Sequence, residues 1–383
     1  MDKNPLLELE KLGQSIWIDF LGRGALENGE LQRFIAQDGV SGLTSNPSIF
    51  EKSIVESQDY DNAIRSLTQA GKSVKEIVQA LTVEDIQHAA DFFRPIYDRT
   101  EAKDGFVSLE LSSGLAHDTA GSIAEARVLW NMVNRPNLMI KVPGTREGLP
   151  VIQQLIGEGI NVNITLLFGL PRYREVSEAY LAGVETLAAN GKKPLSQIAS
   201  VASFFLSRID TLIDPLLEKI QQAGGPNAAI AAGLRGQTAI ASAKVAYQMY
   251  KEIFSSERFL KLAAKGAHTQ RLLWASTSTK NPEYSDVKYI DTLIGRDSIN
   301  TVPVETLAVY RDHGKPGLRL EEGIQDANGV LAGLRQVGID LDQLTQELED
   351  EGVAKFSKAT EQLFAGLEKK RTAPAMPPAK VRS

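Results

Sequence analysis

The chain has 383 residues, a formal net charge of −6 and no cysteine, which excludes disulfides, thiolate catalysis and cysteine-ligated metals. With 43% apolar and 23% charged residues it has the composition of an ordinary globular protein that buries a large core. The mild acidity argues against nucleic acid or an anionic membrane as partner. No apolar run reaches the roughly 18 residues of a membrane helix, and the N-terminus, MDKNPLLELEKLGQSIW, lacks the apolar block of a signal peptide, so a cytoplasmic protein is expected.

Residues 5–14 have the pattern of a short helix. Residues 16–20, IWIDF, form a first strand, apolar except for Asp19. A helix is predicted over 30–37, then a second strand over 40–46 (VSGLTSN), ended by the turn pair Asn46 and Pro47. Helical patterns cover 59–70 and 73–81. Thr82, three residues before Asp85, heads a capping box for a further helix toward Asp98. Residues 106–111 (FVSLEL) make a third strand with one carboxylate, Glu110, and 119–133 an amphipathic helix ending before Pro136.

The fourth strand, 138–143, is LMIKVP. A short helix over 148–157 leads to a fifth strand, 160–168 (INVNITLLF), which bears Asn163 and Thr165. A helix over 173–190 is closed by Gly191 as its C-cap. The sixth strand, 198–205, carries Ser203 and runs on toward Arg208. Helix 210–223 is broken by Gly224, Gly225 and Pro226, and 237–254 is a long alanine-rich helix. A seventh strand, 270–276 (QRLLWAS), precedes the polar loop TSTKNP. A short capped helix over 285–294 ends at Gly295, an eighth strand covers 299–304, and helices fill 305–311 and 319–366. The basic, proline-rich remainder, 367–383, reads as a flexible tail.

Strands that are near-continuous apolar runs, alternating with helices, are the pattern of a parallel sheet covered by helices. Eight such units predict a closed (β/α)8 barrel, one catalytic domain over 1–366 with extra helices at both ends. In such a barrel the active site forms at the carboxyl ends of the strands. The polar residues that interrupt or end the runs are Asp19, Asn46, Glu110, Lys141, Asn163 with Thr165, Ser203 and Ser276. A lysine in a strand buried on both faces is costly to keep charged, and its neutral form is the nucleophile. One amine among carboxylates and neutral donors suits Schiff-base chemistry on a carbonyl substrate. Arg208, Ser276, Ser278 and Lys280 follow strands six and seven, where barrels often hold phosphate.

Other chemistries lack their residues. His88, His117, His268 and His313 have no metal-ligand spacing. There is no GxGxxG after the first strand and no GxxxxGK[ST], so no nucleotide cofactor is expected.

The motifs SIWIDF, GLTSNPSIF, NLMIKVPGT, INVNITLLF, SFFLSRID and WASTSTKNP make the chain resemble the transaldolase family, in its longer bacterial branch, from about residue 5 to 366. The resemblance implies a cofactor-free transferase of the pentose phosphate pathway. It would move a dihydroxyacetone unit from sedoheptulose 7-phosphate to glyceraldehyde 3-phosphate, giving erythrose 4-phosphate and fructose 6-phosphate. Lys141 would be the Schiff-base nucleophile and Asp19 the acid/base of carbon–carbon cleavage. Glu110 with Thr165 would hold a proton-shuttling water. Asn46, Asn163 and Ser203 would hold hydroxyls of the three-carbon unit, Phe205 would line the pocket, and Arg208 and Ser276 would contact phosphate. The family's second phosphate arginine, two residues after the serine, is Ser278 here, so Lys280 is expected to supply that charge. The resemblance leaves a monomer or a larger assembly open. A free class I aldolase and a non-catalytic scaffold on the same barrel are the alternative readings. The scaffold reading predicts a broken catalytic set, whereas Lys141, Asp19 and Glu110 are all present.

Overall fold

A computed structural model describes residues 4–372. The apolar runs form eight strands: β1 (Gln14–Asp19), β2 (Val40–Thr44), β3 (Val107–Glu110), β4 (Leu138–Pro143), β5 (Val162–Leu167), β6 (Ser200–Phe205), β7 (Arg271–Ala275) and β8 (Ser298–Val302). They pair in chain order, all parallel, and β8 returns to β1 to close the barrel. Helices cover the outside and side chains fill the inside, so both faces of each strand are dry. All six residues of β5 and of β6 are buried.

Alternate residues of each strand point inward. On β1 these are Ser15, Trp17 and Asp19. Trp17 fills the barrel interior, where Cβ on its β2 neighbour Gly42 would lie 2.4 Å from the indole. The indole Nε1 donates to Asp104 Oδ1 at 2.7 Å. Asp104 also accepts from Ser41 Oγ at 3.0 Å, and Arg271 Nη2 donates to the Ser298 carbonyl at 2.8 Å. This polar plug closes the amino end of the barrel, which leaves the carboxyl end for chemistry.

Several sequence expectations change, and the helices Arg23–Glu27 and Pro47–Glu56 were not among the predicted elements. The helices predicted over 73–81 and from Thr82 are one helix, Val74–Arg99, capped by Ser73 in a capping box with Glu76. Thr82 turns its hydroxyl back to the Gln79 carbonyl at 3.2 Å. A hydroxyl inside a helix can bond its own backbone without capping anything, and the buried stripe Ile77, Leu81, Ile86 and Phe93 holds the helix together across it. Only Lys288–Asp291 of the predicted 285–294 helix is helical. The short helices Ala228–Leu234 and Glu257–Ala263 were not anticipated, because seven residues carry too little periodicity. The last helix, Leu341–Thr372, runs past the predicted boundary at 366. Leu367 is fully buried and Lys370 pairs with Asp61 at 2.8 Å. The rest of the predicted tail, 373–383, lies outside the described residues.

Candidate active site

Parallel register sets Lys141 on β4 between Glu110 on β3 and Asn163 on β5. Its residue is 4% exposed. Nζ donates to the Ser45 carbonyl at 2.9 Å and lies 3.6 Å from Glu110 Oε1, an ion-pair distance rather than a hydrogen bond. Asp19 accepts from Thr44 Oγ1 at 2.6 Å and from Asn46 Nδ2 at 3.3 Å. Thr44 in turn meets Thr301 of β8 at 2.8 Å between hydroxyl oxygens.

Burial raises both carboxyls. Asp19 is pushed above its usual range by desolvation, against the opposing pull of Lys141. Desolvation pushes Glu110 up to about 7; Lys141 opposes the rise and the neighbouring Asp19 charge adds to it. A carboxyl that titrates near neutral pH is suited to moving protons at that pH. Both Glu110 oxygens and Thr165 Oγ1 are buried without a hydrogen-bond partner among the described residues. Directly after Thr165 the pairing of β5 slips, and Leu166 has a φ of 57°, the left-handed region. Such a bulge redirects the chain and is costly for a non-glycine residue.

Nine of the expected residues line one cavity of about 230 Å³: Asp19, Asn46, Lys141, Ser203, Phe205, Arg208, Ser276, Ser278 and Lys280. Glu110, Thr165 and Asn163 are not in that wall. The Asn163 amide links neighbouring strands: it accepts from Ser203 Oγ at 2.6 Å and donates to Ser108 Oγ at 2.9 Å. The Asn163 amide, expected to hold a substrate hydroxyl, thus has its oxygen and one N–H engaged with protein, as the Asn46 amide has with Ile49 N and Asp19. Sequence reasoning missed Thr44 and Thr301. Both are hydroxyls at or next to the carboxyl ends of their strands, where the barrel gathers its polar groups. It also missed Phe356, which reaches the cavity from the last helix; no local pattern marks it.

Arg208 sits at the start of the helix Ser207–Ala223. Its guanidinium carbon is 5.4 Å from the centroid of the Phe205 ring, which packs in turn on Phe168 at 5.2 Å. Arg208 Nη1 is buried without a partner, and burial holds the group below its usual range. A buried donor without a hydrogen bond favours an acceptor beside it, and a planar guanidinium is suited to gripping phosphate in a bidentate fork. Ser207 and Ser276 hydroxyls meet at 2.9 Å, and Ser276 itself has a φ of 54°. Lys280 Nζ, exposed, donates to Ser278 Oγ at 2.6 Å. The cavity therefore has a buried amine flanked by carboxyls at one end and cations with hydroxyls at the other. A separate cavity of about 100 Å³, lined by Glu110, Phe50, Leu111 and Phe364, lies by β3, and Lys141 is not in its wall. Among the described residues no group of three or more histidine, aspartate or glutamate side chains is arranged to hold a metal, and no helix is long and apolar enough to cross a membrane.

An enclosed lysine amine, two carboxyls with raised proton affinity and an anion-binding end, all at the carboxyl mouth of a closed barrel, define an aldol enzyme of the class that works through an imine on lysine. The family described as Transaldolase/Fructose-6-phosphate aldolase matches residues 16–367, and the chain belongs to it. It is 47% identical over 374 residues to "Transaldolase" of Trichodesmium erythraeum, covering 97% of this chain and 98% of the relative. It is 46% identical over 375 residues to "Transaldolase 2" of Nostoc punctiforme, with 97% and 98% covered. It is 47% identical over 366 residues to "Transaldolase" of Saccharopolyspora erythraea, with 95% and 97% covered.

The pH dependence should report Glu110. Below about 7 its carboxyl is protonated and cannot take the proton that an attacking amine releases. We expect kcat/KM to fall as pH drops through about 7. In Glu110→Gln that limb should vanish and the rate should fall about 10²- to 10⁴-fold. Stability moves the other way. The folded carboxyl titrates near 7 and the unfolded one near 4.5, so its contribution is full below the lower value and is lost as pH rises to the upper one. Thermal melts of parent and Glu110→Gln across that window should show the variant gaining on the parent as pH rises.

Proposed function

We propose that Lys141 forms a Schiff base with a ketose phosphate, and that the enzyme passes the resulting three-carbon unit to an aldose phosphate. The observation that carries the reading is the enclosed amine at 3.6 Å from Glu110, in one cavity with Asp19 and Arg208. The donor is sedoheptulose 7-phosphate and the acceptor glyceraldehyde 3-phosphate, as in the pentose phosphate pathway. The neutral amine attacks the C2 carbonyl, and the carbinolamine loses water to give the iminium. Glu110 and Thr165, whose side-chain oxygens are buried without a hydrogen-bond partner among the described residues, share a water that carries protons in these two steps. Asp19 then takes the proton of the C4 hydroxyl as the C3–C4 bond breaks. Erythrose 4-phosphate leaves, and the bonding electrons stay on C3, delocalised into the iminium as an enamine. The enamine attacks the aldehyde of the acceptor, Asp19 returns the proton to the new alkoxide, and hydrolysis frees fructose 6-phosphate.

Asn46 and Ser203 reach the cavity with groups able to hold the hydroxyls of the three-carbon unit. Arg208, Ser276, Ser278 and Lys280 hold the phosphate. The setting is cytoplasmic and the partners are small sugar phosphates. A free class I aldolase would release dihydroxyacetone instead, and assays with and without an acceptor aldehyde separate the two. Borohydride reduction in the presence of fructose 6-phosphate, followed by peptide mapping, tests the reading: the label should fall on Lys141, and a label elsewhere or none overturns it.

Lys280 is exposed and acts as a point charge, so it should contribute to binding more than to turnover. Lys280→Ala is expected to raise KM about tenfold with kcat nearly unchanged. An unchanged KM would remove Lys280 from the phosphate end.

A further inference from the structure

The last helix, Leu341–Thr372, packs chiefly on the helix Pro47–Glu56 and touches the barrel at β5, burying the stripe Leu348, Gly352, Phe356, Ala359, Leu363 and Leu367. That spacing of three and four residues is one helix face. Of this stripe Phe356 alone is in the wall of the Lys141 cavity, whose other apolar members are Pro303 and, on the barrel strands, Phe205 and Ala275. The helix is fixed on both sides of it. Before it, Arg172 Nε meets Glu349 Oε2 at 3.3 Å, both buried, and Arg172 Nη2 donates to Gln346 Oε1 at 3.1 Å. Gly352 comes so close to Leu166 that a Cβ there would lie 2.8 Å from the leucine methyl. After it, Ser113 Oγ donates to Thr360 Oγ1 at 3.1 Å. Leu166 is the residue in left-handed conformation next to Thr165, so the same strained corner of β5 touches both the site and the helix that carries Phe356.

We propose that Phe356 is a specificity-determining residue: it sets how often the enamine on Lys141 is passed to an aldehyde rather than quenched by water. The proposal rests on the Schiff-base reading above. In the side reaction the C3 carbon of the enamine takes a proton from a water, Asp19 returns to that water the proton it took from the C4 hydroxyl, and the iminium returns. Hydrolysis of that iminium consumes one water, releases dihydroxyacetone and restores the amine. The water lost at dehydration balances the one consumed, so the net reaction is cleavage of fructose 6-phosphate to dihydroxyacetone and glyceraldehyde 3-phosphate. A phenyl ring offers water no hydrogen bond and fills space that water would take, so it slows protonation of C3, while the water held by Glu110 and Thr165 still serves the dehydration and hydrolysis that transfer needs. The ring comes from a helix pinned above and below it, which keeps it in place through the life of the intermediate.

The test measures two rates on each folded variant: transfer with both sugar phosphates, and cleavage of fructose 6-phosphate without acceptor, read as glyceraldehyde 3-phosphate released. Phe356→Ala is expected to raise the cleavage-to-transfer ratio about tenfold or more, and Phe356→Leu, which keeps most of the apolar bulk and so the fold, about threefold. A ratio equal to the parent's in a folded variant overturns the proposal, even if its melting temperature falls, because a packing role alone moves stability and not partition. Borohydride labelling of the parent runs alongside. Loss of the label there refutes the Schiff-base reading itself, whereas a normal label with an unmoved ratio refutes only the role of Phe356.

Discussion

Lys141→Arg is expected to fold, to lose at least about 10³-fold of the transfer rate, and to take up no label from borohydride with fructose 6-phosphate. The variant keeps a cation near Glu110, which lies 3.6 Å from the native Nζ. It removes the one property the mechanism needs, a nitrogen that can lose its proton and attack, since a guanidinium stays protonated at any ordinary pH. Electrostatics and nucleophilicity are thereby separated. If Lys141 served only as a charge that polarises the substrate carbonyl, arginine would replace it at modest cost. Circular dichroism and a melting curve close to the parent's establish that the loss is chemical. Full activity in Lys141→Arg would end the Schiff-base account, because no other amine in the cavity wall is enclosed: Lys280, the other lysine there, is exposed.

Gly42→Ala is expected to cost about 3 kcal/mol of stability, seen in urea as a lower midpoint with an unchanged slope. The added methyl would sit 2.4 Å from the Trp17 indole, and neither partner has room to yield. Trp17 is fully buried inside the barrel. Its Nε1 is committed to Asp104 at 2.7 Å, within the polar plug that Ser41 and Arg271 share. Moving the ring breaks that bond and leaves a buried acceptor short of a partner. It also disturbs the strand that carries Asp19 two residues further on, so activity should fall with stability. The same substitution in a Trp17→Phe background should cost markedly less, because the smaller ring lacks the indole atoms that the methyl meets. A strictly additive pair would show that the clash is not the cause.

The elements themselves were legible because their signals are local. A strand dry on both faces must be largely apolar along its length, and runs such as LMIKVP or VNITLL can satisfy that only between covering helices. One charged residue in such a run stands out, so Asp19, Glu110 and Lys141 could be singled out before their neighbours were known. The resemblance to a family then supplied roles that spacing could not. Where local signals were ambiguous the reading slipped: Thr82 has the spacing of a cap but lies inside one long helix, and the basic residues beyond 366 looked like a tail but Lys370 is paired on the helix.

The amino-acid sequence by itself determined the order and kind of the elements, hence the eightfold barrel, and the chemical types gathered at the strand ends. Only the tertiary structure decided how those groups are shared out. Thr44 and Thr301, 257 residues apart, meet beside Asp19; Asn163 is engaged by Ser108 and Ser203; and a phenylalanine of the last helix forms part of the cavity wall. The physical reason is the same for all three. Periodicity and composition report which atoms must leave water, whereas the proton affinity of Glu110 and the closure of the cavity depend on which atoms, from opposite ends of the chain, arrive within a few ångströms of one another once they have left it.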